Sequence, residues 1–189
     1  MPARVLVLYA HPHPHLSVVN RQMARAIKDL PQVELVDLYE SNPDFHFDVA
    51  AEQRRVEQAD LLVLQHPLHW YGVPGLLKQW IDVVLSRGWA YGHGGRALQG
   101  KDFMLAVTTG GSTQDYRDTG PHGHDFSAFL PPLRQTARFC GMHWQPPLIL
   151  HAARRAEPAV LEAHIQRYCH LLETYPDWRA DAGQTHPQG

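Results

Sequence analysis

The sequence predicts an α/β domain in which five parallel strands, in the order 2-1-3-4-5, carry helices on both faces. Three observations carry that reading. Short apolar runs of strand length alternate with longer segments of helical periodicity. The runs are almost continuously apolar, as in strands covered on both faces, instead of alternating apolar with polar. Each run leads through a loop into a helix, the βα repeat whose right-handed crossovers distribute helices to the two sides of a parallel sheet.

The elements follow in order. Residues 4–9 (RVLVLY) read as the first strand, and residues 17–30 as a helix with Val19, Met23, Ile27 and Leu30 down one side. A second strand spans 33–38, and a polar helix over 49–59 delivers the chain to Asp60 and the central strand, 61–64. Pro74 opens the next helix, where a first turn tolerates a missing N–H; it runs to residue 86, with Leu76, Leu77, Trp80, Ile81, Val84 and Leu85 at helical spacing. A glycine-rich loop, 87–100, precedes the fourth strand, 103–108. Residues 110–125 (GGSTQDYRDTGPHGHD) are too polar and turn-rich for regular structure, and a loop that long in a compact domain is usually functional. A helix over 131–140, a strand over 148–150 and a helix over 157–173 complete a single domain, 1–178, with 179–189 read as a disordered tail.

Composition removes several classes of function. The 189 residues suffice for one full core. Seventeen basic side chains against nineteen acidic, without a long like-charge run, leave no footprint for nucleic acid or an anionic membrane surface. The first residues pass from one Arg straight into a strand pattern, and no apolar stretch approaches about 20 residues, so a soluble, cytoplasmic protein is expected. Cys140 and Cys169 fit no metal or redox spacing and are read as packing. Fourteen histidines cluster as His11/His13/His15, His66/His69 and His122/His124. Pro12 and Pro14 hold the first trio in an irregular turn, and no HExxH or Cys/His pairing fixes a coordination geometry, so no metal is expected.

The loops after the first, third and fourth strands hold the chemistry. Those strands are neighbours in the order 2-1-3-4-5, so their carboxyl-end loops converge on one crevice. Residues 11–17 lead into a helix start whose free N–H groups suit a phosphate; Ser17 either donates to that phosphate or simply caps the helix. The loop has neither GxGxxG nor a Walker lysine, which speaks against a Rossmann dinucleotide site and a P-loop. In HPLHWYG (66–72), Trp70 and Tyr71 either offer flat rings to a planar, partly polar cofactor or plug the top of the sheet. Thr108-Thr109-Gly110-Gly111 brings two hydroxyls and two glycines within reach of a heterocycle's edge. Tyr116 and His122 pair a hydroxyl donor with a titratable imidazole, or are ordinary surface residues.

Taken together, AHPHPHLSVVN (10–20), HPLHWYGVPGLLKQW (66–80), GWAYGHGG (88–95), TTGG (108–111), Tyr116 and His122 resemble, in order and spacing, the NAD(P)H:quinone oxidoreductase flavoproteins, the flavodoxin-like group that includes DT-diaphorase. Within that family the short chain and GWAYGHGG look most like the bacterial ancillary flavoproteins of glutathione-regulated potassium efflux systems. The resemblance implies a flavodoxin-like fold and a homodimer. It puts His11, Ser17, Val18, Val19 and Asn20 around the flavin phosphate, and Leu68, His69, Trp70, Tyr71, Thr108, Thr109, Gly110 and Gly111 around the isoalloxazine. Tyr116 and His122 match the pair that stands at the flavin N1/O2 edge. Tyr91 and His93 match a Tyr-x-Tyr on the substrate side, with histidine replacing the second tyrosine. The chain lacks the extra C-terminal segment of the mammalian enzymes, which favours FMN over FAD. The implied reaction is two-electron and ping-pong: hydride from NAD(P)H to FMN N5, then reduction of a quinone or similar electrophile in the same cleft. The resemblance also implies a second role, as a regulatory subunit docked on a membrane potassium efflux transporter and thus peripheral to the inner membrane.

Overall fold

The computed structural model describes residues 3–179. The tail expected beyond Trp178 lies outside them from Ala180 onward. The elements are β1 Val5–Tyr9, α1 Val18–Ile27, β2 Val33–Asp37, the single turn α2 Leu38–Ser41, α3 Val49–Gln58, β3 Leu61–Pro67, α4 Gly75–Val84, β4 Asp102–Thr108, α5 Pro131–Phe139, β5 His143–Trp144, β6 Leu148–Leu150 and α6 Pro158–Glu173.

All strand pairs are parallel, and the sheet runs β2-β1-β3-β4-β5, as the sequence predicts. Its fifth position is shared. β5 pairs with the start of β4 and β6 with the end; between them Gln145 still donates its N–H to Phe103 O (2.8 Å), and Pro146 and Pro147 interrupt the ladder. Only the second piece was expected, because two residues, His143 and Trp144, carry no periodicity. β3 runs on through His66 and Pro67, three residues past the expected run, and all seven of its residues are buried.

Alternation along the strands sorts the core. Val5, Val7, Leu61, Val63, Met104 and Ala106 point to the face covered by α1 (Val19, Met23, Ile27) and α6 (Tyr168, Leu172). Leu6, Leu8, Leu62, Leu64, Phe103 and Leu105 point to the other face, under Val56 of α3 and Leu76, Leu77, Trp80 and Val84 of α4. Each such aliphatic side chain contributes about 1.5–3 kcal/mol by leaving water. Cys140 is buried in the second cluster and half-buried Cys169 lies against the first, both free thiols.

Helix starts differ in a way that matters for function. Asp48 accepts from the Ala51 N–H and caps α3, and Asp37 accepts from Tyr39 and Glu40 and caps α2. α1 has no side-chain cap. Ser17, one reading of which was as its N-cap, instead shares a 2.6 Å hydrogen bond with the Tyr9 hydroxyl. Its backbone (φ −81°, ψ 69°) does not aim the hydroxyl at the helix. No helix among the described residues is long and apolar enough to cross a membrane.

Candidate active site

The carboxyl ends of β1, β3 and β4 are tied together by backbone bonds: Ala10 N–H to Gln65 O (2.9 Å) and Leu68 N–H to Thr108 O (2.8 Å), with Thr109 N–H reaching Leu150 O (3.0 Å). Over this edge opens a cleft of about 600 Å³. It is lined by His11, Ser17, Val18, Val19 and Asn20 after β1, by Leu68 and His69 after β3, and by Thr108, Thr109 and Gly110 after β4. The three loops singled out in the sequence therefore converge. The lining contains no aspartate or glutamate.

One wall is the start of α1, whose first-turn N–H groups lack intrahelical partners and carry the positive end of the helix dipole. Asn20 donates from Nδ2 to Thr108 Oγ1 (2.7 Å), while its Oδ1 is buried with no partner. Beneath it, Gln65 donates to Asn20 O (2.7 Å) and accepts from the Tyr168 hydroxyl (3.2 Å), fixing the floor from α6. An orphaned buried acceptor is costly unless something completes it, and a ligand hydroxyl in the cleft would. His11 Nδ1 accepts from the His13 N–H (3.1 Å), which puts the imidazole proton on Nε2. Burial first, then the positive fields of His69, His13 and Arg154, pushes His11 down to about 4. His69 is lowered by burial, His13 and Arg154 in the same way.

A second group of predicted residues stands beyond Gly110 as an aromatic shelf. Tyr116 is buried and stacks on His122 (ring centroids 4.2 Å apart, planes 20° apart), and His122 Nδ1 lies 3.4 Å from the Tyr71 hydroxyl. Tyr71 stacks on Phe129 (4.9 Å). Gly111 makes this possible, since a Cβ there would fall 2.9 Å from His122 Nε2 and 3.1 Å from Tyr116 Cε2. Burial raises the Tyr116 phenol, keeping it a protonated donor. The 110–125 loop is irregular, as expected, but closed: Asp115 accepts from the Ser112 N–H and hydroxyl, and its own carbonyl accepts from the His122 N–H.

Trp70 and Tyr71 form a two-residue hairpin. His69 and Gly72 exchange both backbone bonds (3.0 Å each), and both central residues are left-handed (φ 47° and 64°). Trp70 is 94% exposed, which overturns the alternative that it plugs the top of the sheet. Left-handed backbone at two aromatics turns the indole into solvent, and neither Trp70 nor Tyr71 is among the residues that line the cleft.

Tyr91 and His93 are not brought to the cleft within one chain. Their loop is bound to the other edge of the sheet, with Trp89 donating to Glu57 (2.6 Å) and Gly100 N–H to Gly141 O (2.9 Å). The seven residues of β4 separate the two edges by roughly 20 Å. Conversely, Ala153, Arg154, Ala156 and Leu161 line the cleft without having been predicted. The signal was topological: β6 pairs with the end of β4, so the loop after the fifth sheet position borders the same crevice.

A parallel 2-1-3-4-5 sheet with an anion-seeking cleft at its carboxyl edge defines a flavodoxin-like protein. The chain belongs to that family, whose flavodoxin-like fold model matches residues 3–172. It is 46% identical over 175 residues to the glutathione-regulated potassium-efflux system ancillary protein KefF of Enterobacter sp. (strain 638), spanning 93% of this chain and 97% of that protein. Among solved structures, general stress protein 14 of Treponema denticola, in complex with FMN, is 35% identical (TM-score 0.83, 90% of this chain and 98% of the other). The NADPH-quinone reductase of P. pentosaceus is 28% identical, with the same TM-score and coverage. The resemblance seen in the motifs thus extends over nearly the whole chain.

Proposed function

We propose that the chain is an FMN-dependent oxidoreductase that passes two electrons from NAD(P)H to a quinone or related electrophile. The observation that carries this is the joint presence, in one carboxylate-free cleft, of the uncapped start of α1 and the unpartnered Asn20 Oδ1. The first suits a phosphate, the second a hydroxylated chain attached to it. His11, Ser17, Val18, Val19 and Asn20 would hold that end; Leu68, His69, Trp70, Tyr71 and Thr108 to Gly111 would hold the isoalloxazine. The FMN complex of the Treponema denticola relative supports FMN over FAD. When bound, the flavin supplies the hydride chemistry, and the protein supplies orientation and charge stabilisation.

Tyr116 and His122 are the residues we assign to charge: the phenol stays protonated, and the imidazole is held against it and the Tyr71 hydroxyl. Both can donate where negative charge develops on reduction. The loop of Tyr91 and His93 lies at the opposite edge of the sheet from its own chain's cleft, so a substrate-side role for them requires a second copy, which is our reason for proposing a homodimer. Nicotinamide and acceptor use one cleft in turn, and parallel double-reciprocal lines are expected.

The test is the visible spectrum of the purified protein, followed by mass analysis of the released chromophore, with FMN expected. A colourless protein that neither FMN nor FAD reconstitutes would sink the enzyme reading. A second reading, a regulatory subunit of a potassium efflux transporter with secondary reductase activity, is favoured by the 46% identity to KefF. Co-purification with a membrane transporter is its test.

A further inference from the structure

The cleft contains a charge that the motifs do not account for. Arg154 sits in the 3-10 turn Ala153–Arg155 after β6, and that turn is fixed by Ala152 N–H to Gly111 O (2.7 Å) and Ala153 N–H to Thr109 O (2.9 Å). Its position is therefore set by the same loop after β4 whose Thr109 and Gly110 line the cleft. The Arg154 side chain is exposed and lines the cleft together with His11 and Ser17 to Asn20. Among the described residues no carboxylate lies within ion-pair distance of it.

The surroundings add to the positive charge. The start of α1 contributes its partial positive charge, and Arg154 lies near enough to His11 and His69 to be felt by both, after burial and the neighbouring histidines. Gathering like charge around a cavity with no acidic residue is unfavourable until an anion fills it. Arginine adds geometry, because its planar fork grips two oxygens of one phosphate, as a lysine cannot.

We propose that Arg154 is a phosphate-binding residue of this cleft, clasping the terminal phosphate monoester of the flavin from the wall built by the turn after β6. The proposal rests on the flavin reading above and adds a residue to it. Arg154 distinguishes FMN from riboflavin, and it makes flavin retention sensitive to ionic strength.

The experiment measures binding of FMN and of riboflavin, by quenching of flavin fluorescence, to the wild type, Arg154→Gln and Arg154→Lys at low and high salt. In Arg154→Gln, FMN affinity should fall about 10- to 100-fold, the scale of hydrogen bonds to a charged group, with riboflavin affinity unchanged. The salt dependence of FMN binding should flatten, and Arg154→Lys should recover part of the loss. Equal loss for both flavins would make Arg154 a structural residue and overturn the proposal. Unchanged FMN binding would overturn it too. A variant whose only defect is a raised KM for NADPH and not NADH would reassign the charge to the nucleotide's 2′-phosphate. A wild type that binds neither flavin would remove the cofactor reading itself, a failure visible without any variant.

Discussion

At the scale of single residues, the pairing of Tyr116 with His122 depends on a missing side chain. A Cβ at position 111 would meet the His122 imidazole at 2.9 Å, so Gly111→Ala should push that ring off Tyr116. His122→Ala removes the ring outright. If the imidazole stabilises charge as hydride arrives, His122→Ala should slow flavin reduction by NAD(P)H by roughly 10- to 1000-fold in stopped-flow measurements. Gly111→Ala should reproduce part of that loss. FMN affinity should change little in His122→Ala, because the phosphate end of the cleft is built from other residues. A wild-type reductive rate in His122→Ala would remove the residue from the chemistry and leave Tyr116 without its partner.

At the scale of elements, the loop His69–Gly72 sets function against stability. Its two central residues adopt the left-handed geometry that two-residue hairpins assign to Asn-Gly, yet here they are Trp and Tyr. Each non-glycine residue in that region costs on the order of 1–2 kcal/mol. Replacing Trp70-Tyr71 by Asn-Gly should raise the urea midpoint, by roughly 1–2 kcal/mol in unfolding free energy, while weakening flavin retention. Equal or tighter flavin binding in that variant would show the rings to be dispensable. The same loop shows what the sequence could tell. Strands such as β3 and helices such as α4 declare themselves through burial, because apolar runs and helical periodicity are what a packed sheet demands. The convergence of the first, third and fourth loops followed from strand order alone. A hairpin built from Trp and Tyr carries none of the usual turn residues. The exposure of Trp70 follows from a turn geometry its residues do not announce, the diversion of Ser17 from a hydroxyl on the preceding strand, and the entry of Arg154 into the cleft from neighbours far along the chain.

At the scale of the whole molecule, buried histidines govern the response to acid. His66 is fully buried in β3 and His164 largely buried in α6, and burial pushes both down to about 4, as it does His11. In the unfolded chain they titrate near 6.5, so between that value and about 4 the unfolded state binds more protons. Stability is therefore complete above about 6.5 and is lost as pH falls through this window; for His66 the full difference is of order 3 kcal/mol. Urea midpoints measured from pH 7.5 down to about 4.5 should decline, and His66→Gln should flatten the decline. A profile with the same slope in His66→Gln would show the ring to be protonated in place. The divided fifth position of the sheet acts at this scale as well. β5 offers two residues and β6 three, and between them Pro146 and Pro147 have no N–H to donate. An incoming strand would find too short and too interrupted a ladder to extend the sheet, so this edge is closed to edge-to-edge aggregation. The second copy proposed above would therefore find no strand ladder to extend at this edge of the sheet.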